Sequence, residues 1–168
     1  SGLINNDSPS ITGTTDQPNG ATVTVTITGP TNDTCNATVN AGTWSCAAGP
    51  LTDGSYNISA TTTDTAGNSA TATGSFTLDA TDPGVAISGP ALNGTTDQPD
   101  GSTVTLKNSG GDTLCSAIVS AGAWSCTVSG SFPLTEGPNT LTAETSDPAG
   151  NTGTGAGVTH LDTGLPAI

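Results

Sequence analysis

Apolar and polar residues alternate with a period of two through much of this chain. The clearest example is residues 21–28, where Ala, Val, Val and Ile alternate with Thr. Residues 103–106, Thr-Val-Thr-Leu, repeat the pattern on a smaller scale. Such alternation is typical of a β-strand with one buried face. The pattern therefore predicts folded strands rather than a disordered chain.

Several motifs occur twice in the same order, about 80 residues apart. They are Thr-Thr-Asp-Gln-Pro at residues 14 and 95, Cys-x-Ala-x-Val-x-Ala-Gly-x-Trp-Ser-Cys at 35 and 115, Leu-Thr-Asp/Glu-Gly at 51 and 134, and Asp-x-Ala-Gly-Asn at 64 and 147. A fixed period of this kind indicates tandem structural repeats. We therefore predict two modules, 1–80 and 81–163, and we interpret residues 164–168 as the start of a linker to a further module.

Turn residues recur at intervals near ten, which divides each module into about seven short strands. In the second module we predict strands over residues 85–88, 91–96, 103–107, 113–119, 123–128, 138–145 and 153–161. The first strand of the first module, somewhere within residues 2–6, carries the weakest strand signal. Seven alternating strands in a module of this size are typical of an immunoglobulin-like β-sandwich, with a small barrel as the alternative. The predicted fold class is all-β, with two tandem immunoglobulin-like sandwich modules.

The composition excludes several classes of function. The chain has 168 residues, one basic side chain (Lys107) and 14 acidic ones, which gives a formal net charge of −13. One lysine cannot neutralise a run of phosphates, so nucleic acid and anionic membrane surfaces are excluded as partners. No run approaches the roughly 18 apolar residues of a membrane span, so we expect no direct membrane insertion.

The four cysteines lie at the two ends of the repeated Cys-to-Cys motif. Folded as a hairpin about its midpoint, the motif places its cysteines opposite each other and its Trp opposite a small Ala on one inner face. We therefore predict the disulfides Cys35–Cys46 and Cys115–Cys126, out of three possible connectivities. A zinc site would need four clustered ligands, and these pairs lie about 80 residues apart. Disulfides imply an oxidising setting, which is extracellular or on a cell surface.

Acidic residues recur at matched positions in loops that the strand directions bring to one end of each module. Carboxylate and carbonyl oxygens are the ligands that Ca²⁺ takes, so we expect calcium at the module junctions. The alternative is that each Asp-x-Ala-Gly-Asn segment is an ordinary β-turn. Asp53 and Glu136, in loops at the opposite end, are further candidates. The expected ligands are Asp79, Asp82, Asp97, Asp147 and Asn151 at the second module, Asp7, Asp16, Asp64 and Asn68 at the first, and Asp162 after the second.

The order of these motifs resembles the bacterial Ig-like repeats of giant surface adhesins, including the extender regions of RTX adhesins and of large biofilm-associated proteins. The resemblance covers nearly all of the chain, twice. It implies a string of sandwiches that holds a distal adhesive domain away from the cell, with Ca²⁺ stiffening the junctions. The linker Asp-Ala-Thr-Asp-Pro at residues 79–83 departs from the commoner Asp-Thr-Thr-Ala-Pro. This departure leaves open whether Asp79 or Asp82 is the main ligand.

No set of residues indicates catalysis. His160 is the only histidine, it occurs in one module only, and no nucleophile motif surrounds it. We expect a non-enzymatic extracellular spacer whose partners are neighbouring Ig-like modules of the same chain. One alternative is a ligand- or glycan-binding adhesin module, with Phe132 as the candidate exposed contact. Another is a homopolymeric extracellular filament assembled by strand donation, which would show as a module that lacks one strand.

Overall fold

The computed structural model describes residues 2–88, 92–128 and 134–162, and the chain divides into two compact units, Ser1–Thr81 and Asp82–Ile168. Every regular element in these residues is a β-strand. The described residues contain no helix long and apolar enough to cross a membrane. The strands of the first unit are β1 (Gly2–Ile4), β2 (Ser10–Thr14), β3 (Thr22–Thr28), β4 (Asp33–Thr38), β5 (Thr43–Ala47), β6 (Gly54–Thr63) and β7 (Ser69–Leu78). Those of the second are β8 (Val85–Ile87), β9 (Asn93–Thr96), β10 (Thr103–Asn108), β11 (Thr113–Ile118), β12 (Ala123–Ser125), β13 (Gly137–Ser146) and β14 (Thr152–Leu161).

The first unit is built from a five-stranded sheet in the order β1-β7-β6-β3-β4 and a two-stranded sheet of β2 and β5. β3 shows why the alternation predicts a half-buried strand, because its threonines are exposed and Val23, Val25 and Ile27 are buried. These three side chains lie in the core with Tyr56 and Trp44. The short strand β1 pairs in parallel with the last residues of β7.

The second unit contains a four-stranded sheet, β11-β10-β13-β14, and a three-stranded sheet, β12-β9-β8. Val104, Leu106, Leu141 and Trp124 are buried in its core. Its first strand, β8, pairs antiparallel with β9 and not in a ladder with the last strand.

The predicted all-β fold class, with about seven strands in each module, is confirmed. The strand expected over residues 123–128 is shorter than predicted, because β12 ends at Ser125.

The repeated Cys-to-Cys motif crosses between the two sheets instead of forming the expected hairpin ladder. Asn40 and Thr43 exchange backbone hydrogen bonds of 2.9 and 3.0 Å around a two-residue turn. After this bridge the strands separate, because β4 pairs with β3 and β5 pairs with β2. The hairpin register predicted from the sequence was therefore wrong, since it centred the turn one residue too early.

The disulfides of the structure join the cysteines that the sequence paired, Cys35 with Cys46 and Cys115 with Cys126. In each pair the Cα atoms are 6.1 Å apart and the two residues lie in or beside strands of opposite sheets. Each disulfide is therefore a covalent link between the two layers of its sandwich. No cysteine in the described parts of the chain is free.

Candidate functional site

The first Asp-x-Ala-Gly-Asn segment forms the turn between β6 and β7. The Oδ1 atom of Asp64 accepts hydrogen bonds from the backbone N–H groups of Ala66 and Asn68, both at 2.9 Å. Its Oδ2 atom accepts a third from Nδ2 of Asn68 at 2.9 Å. Gly67 takes a φ of 91°, a left-handed conformation that glycine adopts without steric cost. The carboxylate of Asp64 thus stabilises the turn in which it lies.

Asp147 closes the equivalent turn between β13 and β14. Its Oδ1 atom accepts from the backbone N–H groups of Gly150 at 2.8 Å and Asn151 at 2.9 Å. Its Oδ2 atom accepts from Nδ2 of Asn151 at 2.8 Å. Asn151 is buried, in contrast to the exposed Asn68 of the first unit. Both repeated segments are therefore turns that their own aspartate stabilises.

The pKa values of these two aspartates lie below the ordinary value of 3.8. For Asp64 the main cause is the hydrogen bond from the side chain of Asn68, followed by that from its backbone N–H. For Asp147 partial desolvation raises the pKa, and the hydrogen bonds from Asn151 and Gly150 outweigh it. Hydrogen bonds donated to a carboxylate favour its charged form. Both groups are consequently ionised oxygen donors at neutral pH.

Asp97 holds the beginning of the second unit. Both of its carboxylate oxygens accept from the backbone N–H of Gly84, at 2.9 and 2.8 Å. The carbonyl of Gly84 accepts in return from the hydroxyl of Thr96 at 2.6 Å. The chain that enters this unit is thus tied to the loop between β9 and β10.

Asp53 holds the end of the first unit in a similar way. Its Oδ1 atom accepts from the backbone N–H of Ala80 at 2.7 Å, and its Oδ2 atom accepts from the hydroxyl of Thr81. The sequence indicated this residue only as a further candidate ligand at the opposite end. The repeated Leu-Thr-Asp/Glu-Gly motif that contains Asp53 was the available signal. Its role in the structure is to fix the residues that leave the unit.

Asp7 does not join the acids with which the sequence grouped it. Its backbone carbonyl accepts from the N–H of Leu51 at 2.9 Å, beside the connection between β5 and β6. Asp16 and Asp64 lie at the other end of the unit. The side chain of Gln17 donates a hydrogen bond to Asp16, and Gln17 and Asp64 line the same surface depression. The physical reason is the parallel pairing of β1 with the end of β7, which starts the chain at the Leu51 end. The structure thus places Asp7 apart from Asp16 and Asp64.

The expected calcium donors do not converge within either unit. Among residues 2–88, 92–128 and 134–162, no group of three or more His, Cys, Asp or Glu side chains could hold a metal ion. Asp64 and Asp147 instead accept hydrogen bonds from backbone N–H groups of their own turns, and Asp97 accepts from the backbone N–H of Gly84. Each carboxylate has about four lone-pair sites, so each keeps some capacity for another ligand. The donors have the chemistry that calcium requires, but the described residues of the two units do not form a preassembled set of calcium ligands.

The histidine weighed for catalysis and the single lysine both lie on strands of the second unit. His160 is an exposed residue near the end of β14, where it pairs with Pro138 of β13. Lys107 on β10 forms an ion pair with Glu144 on β13, and both side chains are one-third exposed. Phe132, the candidate ligand contact, and residues 164–168, the expected linker, lie outside the described residues.

Comparison with known proteins gives a family match for both halves of the chain. The model of a family described as bacterial Ig-like domain matches residues 1–81 and again residues 80–163. The comparison with curated proteins found no match.

Three similar solved structures come from large adhesins. One is a tetra-tandem repeat in the extending region of a large adhesion protein, with 28% identity over 95% of this chain and 48% of that chain, at a TM-score of 0.42. The second is a Ca²⁺-stabilized adhesin that helps an Antarctic bacterium reach out and bind ice, with 29% identity over 95% and 46%, at 0.48. The third concerns a 1.5-MDa bacterial ice-binding adhesin, with 28% identity over 95% and 60%, at 0.47. The chain thus spans between 46% and 60% of the length of these structures.

Proposed function

The chain belongs to the bacterial Ig-like domain family and carries two copies of this domain, and from this premise we propose that it is a spacer segment of a bacterial surface adhesin. The observation that carries the proposal is the direct succession of two sandwiches built on the same motifs. A spacer needs stable repeated units and firm attachment of the chain where it enters and leaves each unit. Disulfide-linked sheets supply the first property, and Asp53 and Asp97 supply the second.

The spacer is non-enzymatic in this proposal, and its partners are neighbouring Ig-like modules in the same chain. The polar residues that the sequence repeats, such as Asp64 and Asp147, support turns rather than a reaction centre. The disulfides support an extracellular location, because they persist in oxidising compartments. The role places the segment on the cell surface, between an anchor and an adhesive domain.

Replacement of the segment tests this role. In a bacterium that displays the parent adhesin, we expect unrelated Ig-like modules of equal number to preserve adhesion when they replace residues 1–163. A flexible Gly/Ser linker of the same residue count should reduce adhesion, because a random coil fluctuates in end-to-end distance and cannot hold a distal domain at a fixed separation. Loss of adhesion with the unrelated modules, or binding of a glycan by the isolated chain, would instead show a recognition role.

Calcium at the module junction is the finer part of the proposal. The candidate donors are the linker acids Asp79 and Asp82 with Asp97 and Asp147 of the second module. Support comes from the charge balance: the chain has 14 acidic side chains and a single lysine, Lys107, which is already paired with Glu144. A divalent cation would relieve the repulsion among these carboxylates.

Scattering and melting measurements in 2 mM calcium and in chelator test the ion. At a calcium concentration of about one hundred times Kd the stabilisation is about 2.7 kcal/mol, so we expect a higher Tm and a longer maximum dimension in calcium. Asp147→Asn keeps an oxygen acceptor for the turn but removes the charge, and it should abolish both differences. Asp112→Asn, in the β10–β11 turn of the same unit, is the matched control and should leave both intact. Equal curves in the two buffers would leave the acids as turn residues only.

A further inference from the structure

The turn between β2 and β3 contains an asparagine that is followed by a glycine. The chain has two such Asn–Gly pairs, at residues 19–20 and at residues 93–94. An asparagine before glycine is especially prone to deamidation, because glycine has no side chain to hinder attack of its backbone nitrogen on the asparagine amide. The surroundings of each pair in the fold therefore decide which of the two reacts.

The first pair lies in an exposed turn that few hydrogen bonds hold. Asn19 and Gly20 are both exposed. The backbone N–H of Ala21 donates to the carbonyl of Pro18 at 3.1 Å, and that of Gly20 donates to the carbonyl of Val39 at 2.9 Å. Exposed turns of this kind open locally, without unfolding of the whole unit. A local opening thus releases the nitrogen of Gly20.

The second pair lies in the middle strand of the sheet β12-β9-β8. Gly94 pairs with Trp124 on one side and with Ile87 on the other. It is buried, and a Cβ added to it would come within 1.7 Å of the carbonyl oxygen of Ala86. The peptide group between Asn93 and Gly94 therefore cannot rotate toward the asparagine side chain unless β9 leaves the sheet.

The side chain of Asn19 is held in a way that favours attack on its amide carbon. Its Oδ1 atom accepts a hydrogen bond of 2.8 Å from the backbone N–H of Ala41. A donor at this oxygen draws electron density from Cγ and stabilises the negative charge that the oxygen acquires during the attack. The amide of Asn19 is therefore activated while the nitrogen of Gly20 is restrained.

We propose that Asn19 is a self-modification site, at which the folded chain loses ammonia and gains a carboxylate through local opening of the β2–β3 turn. The backbone nitrogen of Gly20 attacks Cγ of Asn19, the bond from Cγ to Nδ2 breaks, and Nδ2 leaves as ammonia with the proton that Gly20 gives up. Water then opens the cyclic imide. Breaking the bond from Cγ to the nitrogen gives aspartate, and breaking the bond from the backbone carbonyl carbon to the nitrogen gives isoaspartate. The proposal goes beyond the spacer role and does not depend on it.

The equivalent turn of the second unit shows that this fold accepts the aspartate product. Asp100 occupies the position of Asn19, and its Oδ1 atom accepts from the backbone N–H of Ala121 at 2.6 Å. Isoaspartate differs, because the main chain then runs through Cγ and gains one atom between residues 19 and 20. The acceptor moves away from Ala41, so the turn around that residue should loosen.

Peptide mapping of the aged chain tests the proposal. The full chain, with its disulfides intact, is kept at mildly alkaline pH, and mass spectrometry follows the conversion of Asn19 and Asn93. We expect Asn19 to convert about tenfold faster than Asn93 or more, because the local opening is more frequent than the separation of three strands. In urea, with the disulfides reduced, the two rates should agree within about twofold, because the fold no longer distinguishes the pairs. No conversion of Asn19 in the folded chain, or equal conversion at both sites, would overturn the proposal.

Two variants provide matched controls. Asp100→Asn creates an Asn–Gly pair in the equivalent turn, and residue 100 should convert at a rate within about threefold of that of Asn19, because the two turns have the same hydrogen bonds. Asn19→Asp reproduces the product and should melt together with the unmodified chain. An Asp100→Asn chain that stays unconverted at residue 100 would contradict the assignment of the reaction to this turn. A clearly lower Tm for Asn19→Asp would contradict the conclusion that the fold accepts the product.

Discussion

At the scale of single residues, the two-residue turns of the Cys-to-Cys motif hold an alanine in an unfavourable conformation. Ala41 has a φ of 51° and Ala121 a φ of 53°, and each is followed by a glycine with positive φ. A two-residue hairpin turn with positive φ at both central positions favours Asn-Gly or Gly-Gly. The backbone N–H of Ala41 is held by Oδ1 of Asn19 at 2.8 Å, and that of Ala121 by Oδ1 of Asp100 at 2.6 Å. These hydrogen bonds keep the alanines in place.

Ala41→Asn should therefore stabilise the first unit. The left-handed conformation costs an alanine roughly 1–2 kcal/mol, and asparagine tolerates it better. We expect the free energy of unfolding in urea to rise by about 0.5–1 kcal/mol. Ala47→Asn is the control, since Ala47 is exposed on β5 and asparagine is disfavoured in strands. A decrease for Ala41→Asn would show that the turn depends on the methyl group.

At the scale of elements, β14 uses glycines to bring the two sheets of the second unit together. Gly153, Gly155 and Gly157 lie on the face that meets β8, and a Cβ on each would come within 3 Å of an atom of residues 83–87. The equivalent residues of β7 in the first unit are Ala70, Ala72 and Gly74. A Cβ on Gly74 would meet nothing within 4 Å. Strands at the same position of the repeat thus have opposite requirements for side-chain volume.

The matched substitutions Gly157→Ala and Gly74→Ala should differ in sign. At Gly157 the added methyl group would come within 2.8 Å of the side chain of Ile87, and overpacking of this kind typically costs about 1–3 kcal/mol. At Gly74 the space is open, and replacing a strand glycine by alanine gains about 0.5–1 kcal/mol. Amide hydrogen exchange in β14 and β7 of the full chain measures both local stabilities. Equal effects of the two substitutions would contradict the difference in packing.

The sequence predicts the strands well because alternation reports which face of a strand is buried. The predicted strands over residues 103–107, 113–119 and 153–161 correspond closely to β10, β11 and β14. Alternation does not report which neighbour a strand pairs with, so the separation of β4 and β5 into opposite sheets was not foreseen. The Gly-x-Gly-x-Gly spacing of β14 was a readable sign of close backbone approach.

The candidate site was less predictable than the fold, because acids at matched positions do not have to share a ligand. The turn motif placed Asp64 and Asp147 correctly between the last two strands of each unit. The position of Asp7 depends on the parallel pairing of β1, which three residues of sequence pattern cannot specify. The role of Asp53 depends on residues 80 and 81, which no local pattern links to it.

At the scale of the whole molecule, the net charge of −13 works against folding. Like charges repel in the compact state, and the one lysine offsets a single acid. The hydrogen bonds that Asp64 and Asp147 accept lower the pKa of both carboxylates, so these two charges persist in the folded chain. The fold therefore tolerates repulsion that the surrounding ions can reduce.

Sodium chloride should consequently raise the Tm of the chain even in chelator. The Debye length falls from about 30 Å at 0.01 M to about 3 Å at 1 M salt, so long-range repulsion is removed over this range. We expect a monotonic rise in a calorimetric scan between these concentrations. Equal osmolarity of sucrose is the control for effects that do not depend on charge. A falling Tm would indicate that attractive pairs such as Lys107–Glu144 dominate the electrostatics.

The parallel pairing of β1 with β7 determines how the first unit responds to mechanical tension. β1 is the first strand described in this unit and β7 is the last, and three residue pairs, from Gly2–Phe76 to Ile4–Leu78, join them side by side. When the two ends of such a unit are pulled apart, these interstrand hydrogen bonds are loaded together in shear, whereas a hairpin would open one bond at a time. If the sandwich does yield, the Cys35–Cys46 disulfide keeps the residues between them out of the extended length. Under tension the unit would thus resist first because the hydrogen bonds between β1 and β7 have to break together. After they break, the disulfide leaves fewer residues that can be extended.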